Sequence, residues 1–272
     1  MTSLRMFDLT GRTAVVTGGY GVIGGSIAEA LGSAGAKVAI LGRSSEEANA
    51  KVTDLRQKGI DAMALRASVL DEAQLIAARD ELIRKWGKVD ILVNAAGGNL
   101  AAARTDGVLP FAMSREAFDD VLRLNLHGTV FPTMIFGEAM ARAEKGSIVA
   151  ISSMAASRAI SGVLGYSVAK AAIESFTRWM AVDLARRCGP AIRVNAIVPG
   201  FFVSKQNRAV LLNSDGSLTE RAQLITKGTP MARFGDPSEL QGTILWLCSD
   251  ASSFVTGAII PVDGGFSANS GI

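Results

Sequence analysis

Seven short runs of mostly aliphatic and β-branched residues, TAVVT, KVAIL, AMALRA, VDILVNAAG, SIVAISS, IRVNAIVPG and AIIPVDGG, punctuate the chain at intervals filled by helical patterns. This alternation constrains the fold more than any other feature, because repeated strand–helix–strand units are satisfied by a parallel sheet with helices on both faces. The runs are almost wholly apolar, as strands covered on both sides require. Between them the sequence predicts a small-residue helix ending near Ala34, then helices from Ser45 to about Lys58, Asp71 to Trp86, about Ser114 to Ala143, about Tyr166 to Arg187, and Pro237 to Cys248. In the third of these, Leu75, Ile76, Leu82, Ile83 and Trp86 supply the apolar face. The expected fold is α/β, a single domain over 1–272 built on a doubly wound parallel sheet.

One segment breaks the rhythm. Residues 201–230 form a polar stretch containing NSDGS, placed directly after the strand end at Pro199-Gly200. Ligands in open α/β sheets sit outside the carboxyl ends of strands, so an insertion there reads as a substrate lid; the alternative is an ordinary surface excursion.

Composition removes several function classes. With 19% charged residues and apolar runs shorter than a transmembrane helix needs, the 272-residue chain is expected to be soluble. Its start, MTSLRMFDLTG, lacks the apolar core of a secretory signal, which favours a cytoplasmic location. Cys188 and Cys248 lack C-x-x-C spacing and read as ordinary thiols, and the single histidine, His127, leaves no partner for a histidine metal cluster. No metal site is expected. A net charge of +3, carried by scattered Arg and Lys, implies no nucleic-acid partner.

The turn after the first strand carries the first chemistry. TGGYGVIGG places Gly18, Gly19, Gly21, Gly24 and Gly25 between TAVVT and the next helix, where backbone N–H groups and the helix dipole favour a pyrophosphate. Two registers fit. From Gly19 the stretch is G-x-G-x-x-G; from Thr17 it approaches T-G-x-x-x-G-x-G, with Val22 where a glycine is expected. An acid about 20 residues on would hold the ribose hydroxyls of NAD, but VAILGR places Gly42 and Arg43 at that corner. A guanidinium accepts a 2′-phosphate bidentately, so NADP(H) is favoured and NAD(H) stays open.

The second chemistry lies on the helix after SIVAISS, where Tyr166 and Lys170 share one face at a spacing of four residues. A tyrosine of ordinary pKa is a poor base at neutral pH, and an adjacent ammonium together with a cationic nicotinamide would stabilise its phenolate. Ser153 ends the preceding strand, where its hydroxyl can bond a substrate carbonyl, and Ser152 points to the other face. Asn125 lies within a helical stretch, and Asn94-Ala95-Ala96-Gly97 ends the fourth strand.

Together these residues resemble the short-chain dehydrogenase/reductase superfamily, in the right order over essentially the whole chain. The resemblance implies a Rossmann-like domain and a tetrad in which Tyr166 transfers the proton, Lys170 lowers its pKa and binds the nicotinamide ribose, Ser153 positions the carbonyl and Asn125 holds a relay water. It settles the glycine register on the superfamily pattern, with the middle glycine moved from position 22 to 21. It implies cofactor contacts from Gly18, Gly19, Tyr20, Gly21, Val22, Ile23 and Gly24 in the first turn and from Arg43, Ser68 and Val69. Asn94, Ala95, Ala96 and Gly97, the pair Pro199 and Gly200, and Tyr166 and Lys170 complete that set. Two positions depart from the pattern: Ala95 replaces an asparagine, and Ser68 replaces an acid.

A narrower resemblance, to the D-mannonate oxidoreductase or fructuronate reductase branch, rests on PGFFVSKQNRAVL, NSDGSLTERAQ, TPMARFG, SSFVTGAIIPVDGGFSANSGI and the TGG-x-G-V-x-G spelling. It implies reversible hydride exchange between D-fructuronate and D-mannonate, with Asn99, Arg158, Gln206, Asn207 and Arg208 joining Ser153 and Tyr166 around the substrate. Leu100, Ala155 and Gly162 stand where that branch commonly carries histidine, asparagine and lysine, losses that point to a less polar ketone. The alternatives are another sugar acid or polyol, a 3-oxoacyl-type ketone, or a non-catalytic nucleotide-binding scaffold. The resemblance implies a small-molecule substrate, no membrane partner and a homotetramer or dimer.

Overall fold

The computed structural model describes residues 3–204 and 207–271. Seven strands, β1 (Thr13–Thr17), β2 (Lys37–Gly42), β3 (Ala62–Arg66), β4 (Ile91–Asn94), β5 (Gly146–Ile151), β6 (Ile192–Pro199) and β7 (Ile259–Val262), form one sheet in the order β3-β2-β1-β4-β5-β6-β7. Every pairing is parallel. The chain winds outward from β1 to β3 and then returns to place β4 beside β1, with Thr17 opposite Asn94. That reversal is the switch point where such sheets bind ligands.

Helices cover both faces, as the apolar strands require. Alternation along β1 shows how: Val16 packs with Ile27, Leu31 and Leu247 on one face, and Val15 with Leu82, Phe136 and Met140 on the other. The first face is covered by α1 (Val22–Ser33), α2 (Ser45–Gln57) and α9 (Gln241–Cys248). The second carries α3 (Glu72–Trp86), α5 (Gly128–Arg142) and α6 (Leu164–Arg187). Local signals set the ends: Ser44 accepts from Glu47 N at 3.2 Å and Asp71 from Gln74 N at 3.0 Å, capping α2 and α3.

Buried Arg193 on β6 fastens the turn after α9. Its guanidinium donates to Leu247 O at 2.8 Å, Ser249 O at 3.1 Å and the Ser252 hydroxyl at 2.9 Å. Cys248 is buried beside it, and burial pushes its thiol up to about 12.

The structure corrects the sequence reading at one region and adds detail to a second. The stretch expected as one helix from Ser114 to Ala143 is α4 (Arg115–Leu122), a π-helical turn (Arg123–His127) and α5. The polar segment 201–230 is not structureless: it contains α7 (Arg208–Leu211) and α8 (Glu220–Gly228) around a small apolar cluster of Leu211, Ala222 and Ile225. Its serines and its Asp-Gly turn mask helices that are stabilised by this cluster and not by a long amphipathic stripe. Among the described residues no helix is long and apolar enough to cross a membrane.

Candidate active site

The strand ends at the switch point are cross-linked before any ligand is considered. Thr17 Oγ1 accepts from both Ala95 N and Ala96 N at 3.1 Å, tying the NAAG segment to the glycine turn. Gly18 adopts φ +62°, and Gly21 N donates back to Gly18 O at 2.9 Å. A Cβ at Gly24 would lie 2.4 Å from that same carbonyl, so the helix can approach the strand this closely only with glycine there. Gly18 and Gly24 are thus the interlocked pair. Gly21 is the N-cap of α1 and Val22, 37% exposed, is its first residue. The first hydrogen bond inside α1 runs from Gly25 N to Gly21 O, which leaves the N–H groups of Val22, Ile23 and Gly24 without a protein acceptor among the described residues. No acid occupies that first turn. Free N–H groups at a helix start with no competing carboxylate fit the pyrophosphate of a dinucleotide.

At the end of β2, Tyr20 packs against Gly42, where an added Cβ would come within 2.2 Å of the Tyr20 ring. Arg43 beside it is exposed and makes no hydrogen bond or ion pair to another described residue. Ser68 turns its hydroxyl to Leu70 N at 3.2 Å, while Gln74 receives the Ser68 N–H. Val69 is buried and packs against Gly128. Asn94 is also buried: its amide donates to Thr133 Oγ1 at 2.8 Å, and its Oδ1 has no partner.

Beyond the switch point, β5 delivers Ser153 and α6 delivers Tyr166 and Lys170 to one cleft. Ser153 Oγ accepts from Ala155 N at 3.2 Å, which fixes the hydroxyl near the Tyr166 phenol. Ser152, as its position on the strand predicts, turns away to Glu174 Oε1 at 3.0 Å. Lys170 is 4% exposed; its Nζ donates to Ile151 O at 2.7 Å and sits 5.4 Å from the centre of the Tyr166 ring. Burial dominates the titration of both groups. It pushes the Tyr166 phenol above 10.0, opposed by the Ser153 hydroxyl, and pushes the Lys170 ammonium down to about 8. In the protein alone each group is therefore held toward its neutral form.

Asn125 occupies the π-helical turn and is fully buried. Its Nδ2 donates to Gly98 O at 2.8 Å and Val121 O at 2.9 Å, and its Oδ1 accepts from Gly98 N at 3.0 Å. Both amide hydrogens are taken. The relay water expected of this residue would have to be held by the remaining Oδ1 lone pair or by the backbone carbonyl, which already accepts from Thr129 Oγ1.

The cleft encloses about 580 Å³. Asn99 and Asn207 line it, as expected of substrate contacts; the Asn99 Oδ1 is buried without a partner, whereas Asn207 bonds Ser204 N and Phe202 O within its own turn. Arg158 and Arg208 do not line it. Arg158 is exposed and donates to Ser267 O, and Arg208 opens α7 on the solvent side. Gln206 lies outside the described residues. The cleft's charged lining residues are Arg104, Lys170 and Arg221, with no acid among the described ones. Arg104 and Arg221 were not singled out from the sequence, where nothing but their segments, after β4 and in the 201–230 insertion, connects them. His127 is exposed and stacks on Phe131 with ring centres 5.2 Å apart.

Residues 14–267 match the family profile described as enoyl-(acyl carrier protein) reductase. The uncharacterized oxidoreductase UxuB of Bacillus subtilis (strain 168) is 43% identical over 275 residues, spanning 97% of this chain and 98% of that protein. A crystal structure of a candidate D-mannonate oxidoreductase from Haemophilus influenza, with bound NAD, superimposes with a TM-score of 0.92 at 37% identity, covering 97% of this chain and 98% of that one. A gluconate 5-dehydrogenase from Burkholderia cenocepacia J2315, in complex with NADP and tartrate, gives 0.88 at 32% identity, covering 98% and 99%.

Proposed function

The chain belongs to the short-chain dehydrogenase/reductase superfamily and is an NAD(P)-dependent oxidoreductase; we propose that it interconverts a ketone and a secondary alcohol on a sugar acid of the D-fructuronate/D-mannonate type, with NADP(H) preferred. The observation that carries the substrate class is the cleft's charge: cations and hydroxyls around the site, and no acid among the described lining residues. A carboxylate substrate is attracted there and a cationic one repelled. The related structures add support, since one is named for mannonate and the other for gluconate.

The nicotinamide cofactor, when bound, supplies or accepts the hydride. The unpartnered N–H groups of Val22, Ile23 and Gly24 would hold its pyrophosphate, Arg43 and Tyr20 would flank the adenosine ribose, and Lys170 would meet the nicotinamide ribose with the N–H donors it does not spend on Ile151. Gly18, Gly19, Gly21, Ser68, Val69, Asn94 to Gly97, Pro199 and Gly200 complete the cofactor wall. Ser153 bonds the carbonyl oxygen and orients it toward Tyr166. Tyr166 gives that oxygen its proton during reduction and takes it back during oxidation. Retention of charge on Lys170 is what makes the phenol acidic enough, and burial makes that charge depend on the groups bound beside it. Asn125 acts one step back, by holding Gly98 at the cleft wall.

The same reading includes a cytoplasmic homo-oligomer, supported by apolar side chains facing solvent on α5 and α6, among them Trp179 at 63% exposure. A second reading, a less polar ketone such as a 3-oxoacyl thioester, draws on Leu100, Ile160, Val163 and Leu211 in the same lining. Oxidation of NADPH and NADH, followed with D-fructuronate, other keto-sugar acids and an acetoacetyl thioester, separates the two. Tyr166→Phe serves as the inactive control, and retained turnover in it would refute the acid/base role.

A further inference from the structure

We infer that Arg104 and Arg221 form a clamp for the substrate's carboxylate, with Asp106 as its built-in counter-ion; this rests on the sugar-acid reading and assigns the residues that enforce it. The two arginines reach the cleft from different segments, Arg104 from the connection after β4 and Arg221 from the first turn of α8. Asp106 lies between them. Its Oδ2 accepts from Arg104 Nε at 2.7 Å and its Oδ1 from Arg221 Nη1 at 3.1 Å, and the Arg104 guanidinium holds its carboxyl below the ordinary range. Arg221 is further steadied by donating through Nη2 to Ser161 O at 2.9 Å.

Two guanidiniums against one carboxylate leave a net positive charge at the rim of the cleft that holds Ser153 and Tyr166. The three side chains are 35%, 36% and 31% exposed for Arg104, Asp106 and Arg221, wet enough to exchange partners and dry enough for their charge to be felt. Arg104 spends only Nε on Asp106, and its two Nη groups have no protein acceptor among the described residues. A guanidinium presents its donors as a flat fork that matches a carboxylate, so the free edge of Arg104 is the receiving side, with Arg221 held beside it through Asp106. Position 162 takes part by default. A Cβ there would lie 2.5 Å from Asp106 Oδ1, so glycine is what lets the counter-ion sit between the arginines.

The test is calorimetric titration of the cofactor-loaded Tyr166→Phe protein, which does not turn over, with D-mannonate and D-gluconate against the neutral hexitols D-mannitol and D-sorbitol. The clamp predicts sugar acids bound at least about tenfold tighter than hexitols, a preference that shrinks as salt rises. Arg104→Gln and Arg221→Gln should each weaken sugar-acid binding by about tenfold, with hexitol and cofactor affinity unchanged, and the corresponding Lys variants should recover part of the loss. Sugar acids bound no better than hexitols, or bound undiminished in both Gln variants, would overturn the clamp. Failure of the parent reading looks different: sugar acids would bind through the arginines while the wild-type enzyme neither oxidised D-mannonate nor reduced D-fructuronate.

Discussion

Replacing Lys170 with methionine should destroy activity and, at neutral pH, make the cofactor-free protein more stable. The ammonium falls from an ordinary 10.5 to about 8 because it is buried without a carboxylate. At about 1.4 kcal/mol per factor of ten in proton affinity, holding that charge costs the folded state about 3 kcal/mol below pH 8. Methionine keeps the apolar stem and removes the charge, but it also removes the 2.7 Å hydrogen bond to Ile151 O, a loss of about 1–2 kcal/mol. The net gain is about 1–2 kcal/mol, or roughly 2–4 °C in Tm for a chain of this size. The sign with pH follows from proton counting. Between about 8 and 10.5 the unfolded chain carries the Lys170 proton and the folded one does not, so wild-type stability rises through that window and the variant's does not. Denaturant unfolding of both proteins without cofactor at pH 7, 8, 9 and 10 measures the gap directly. A variant no more stable than wild type at pH 7, or a gap constant from pH 7 to 10, would refute the claim that burial controls this group.

Other substitutions test separate parts of the argument. Arg43→Asp should lower kcat/KM for NADPH by about tenfold or more relative to NADH, because a carboxylate would repel the 2′-phosphate that the guanidinium is proposed to accept; an unchanged ratio in steady-state assays would remove Arg43 from cofactor choice. Gly24→Ala forces the Gly18 carbonyl to move and should raise the dissociation constant for NADPH at least about tenfold in fluorescence titration, a pyrophosphate contact being charge-assisted. Arg193→Met leaves the buried Ser249 carbonyl without its guanidinium donor and should destabilise the fold by about 2–3 kcal/mol in urea titration, with kinetics of the surviving protein unchanged.

Much of this was legible in the sequence, for identifiable reasons. Strand identity was carried by local composition: TAVVT and SIVAISS are apolar enough that only a twice-covered strand suits them, and both are such strands. Tyr166 and Lys170 were legible because a helix converts a four-residue spacing into one face. What escaped depended on long-range placement. Arg104 and Arg221 are 117 positions apart in number (221 − 104) and meet only through Asp106. The narrower resemblance implies Arg158 at the substrate, yet Ser267 O captures it at the surface. The mutual burial of Tyr166 and Lys170, which sets their titration, is likewise a property of the packed cleft and not of the motif.

The π-helical turn at Arg123–His127 makes the rod formed by α4 and α5 one residue longer than an all-α path between the same ends. That surplus residue can be regarded as an insertion that the site has made indispensable. Deleting Leu124 would let the rod relax into an uninterrupted α-helix between the same ends, with α4 and α5 keeping their phase and only the widened turn redrawn. Asn125, which sits inside that turn, would then lose its hold on Gly98. The chain keeps a less regular helix because the widened turn, more than regularity, sets Asn125 against Gly98 at the wall of the cleft.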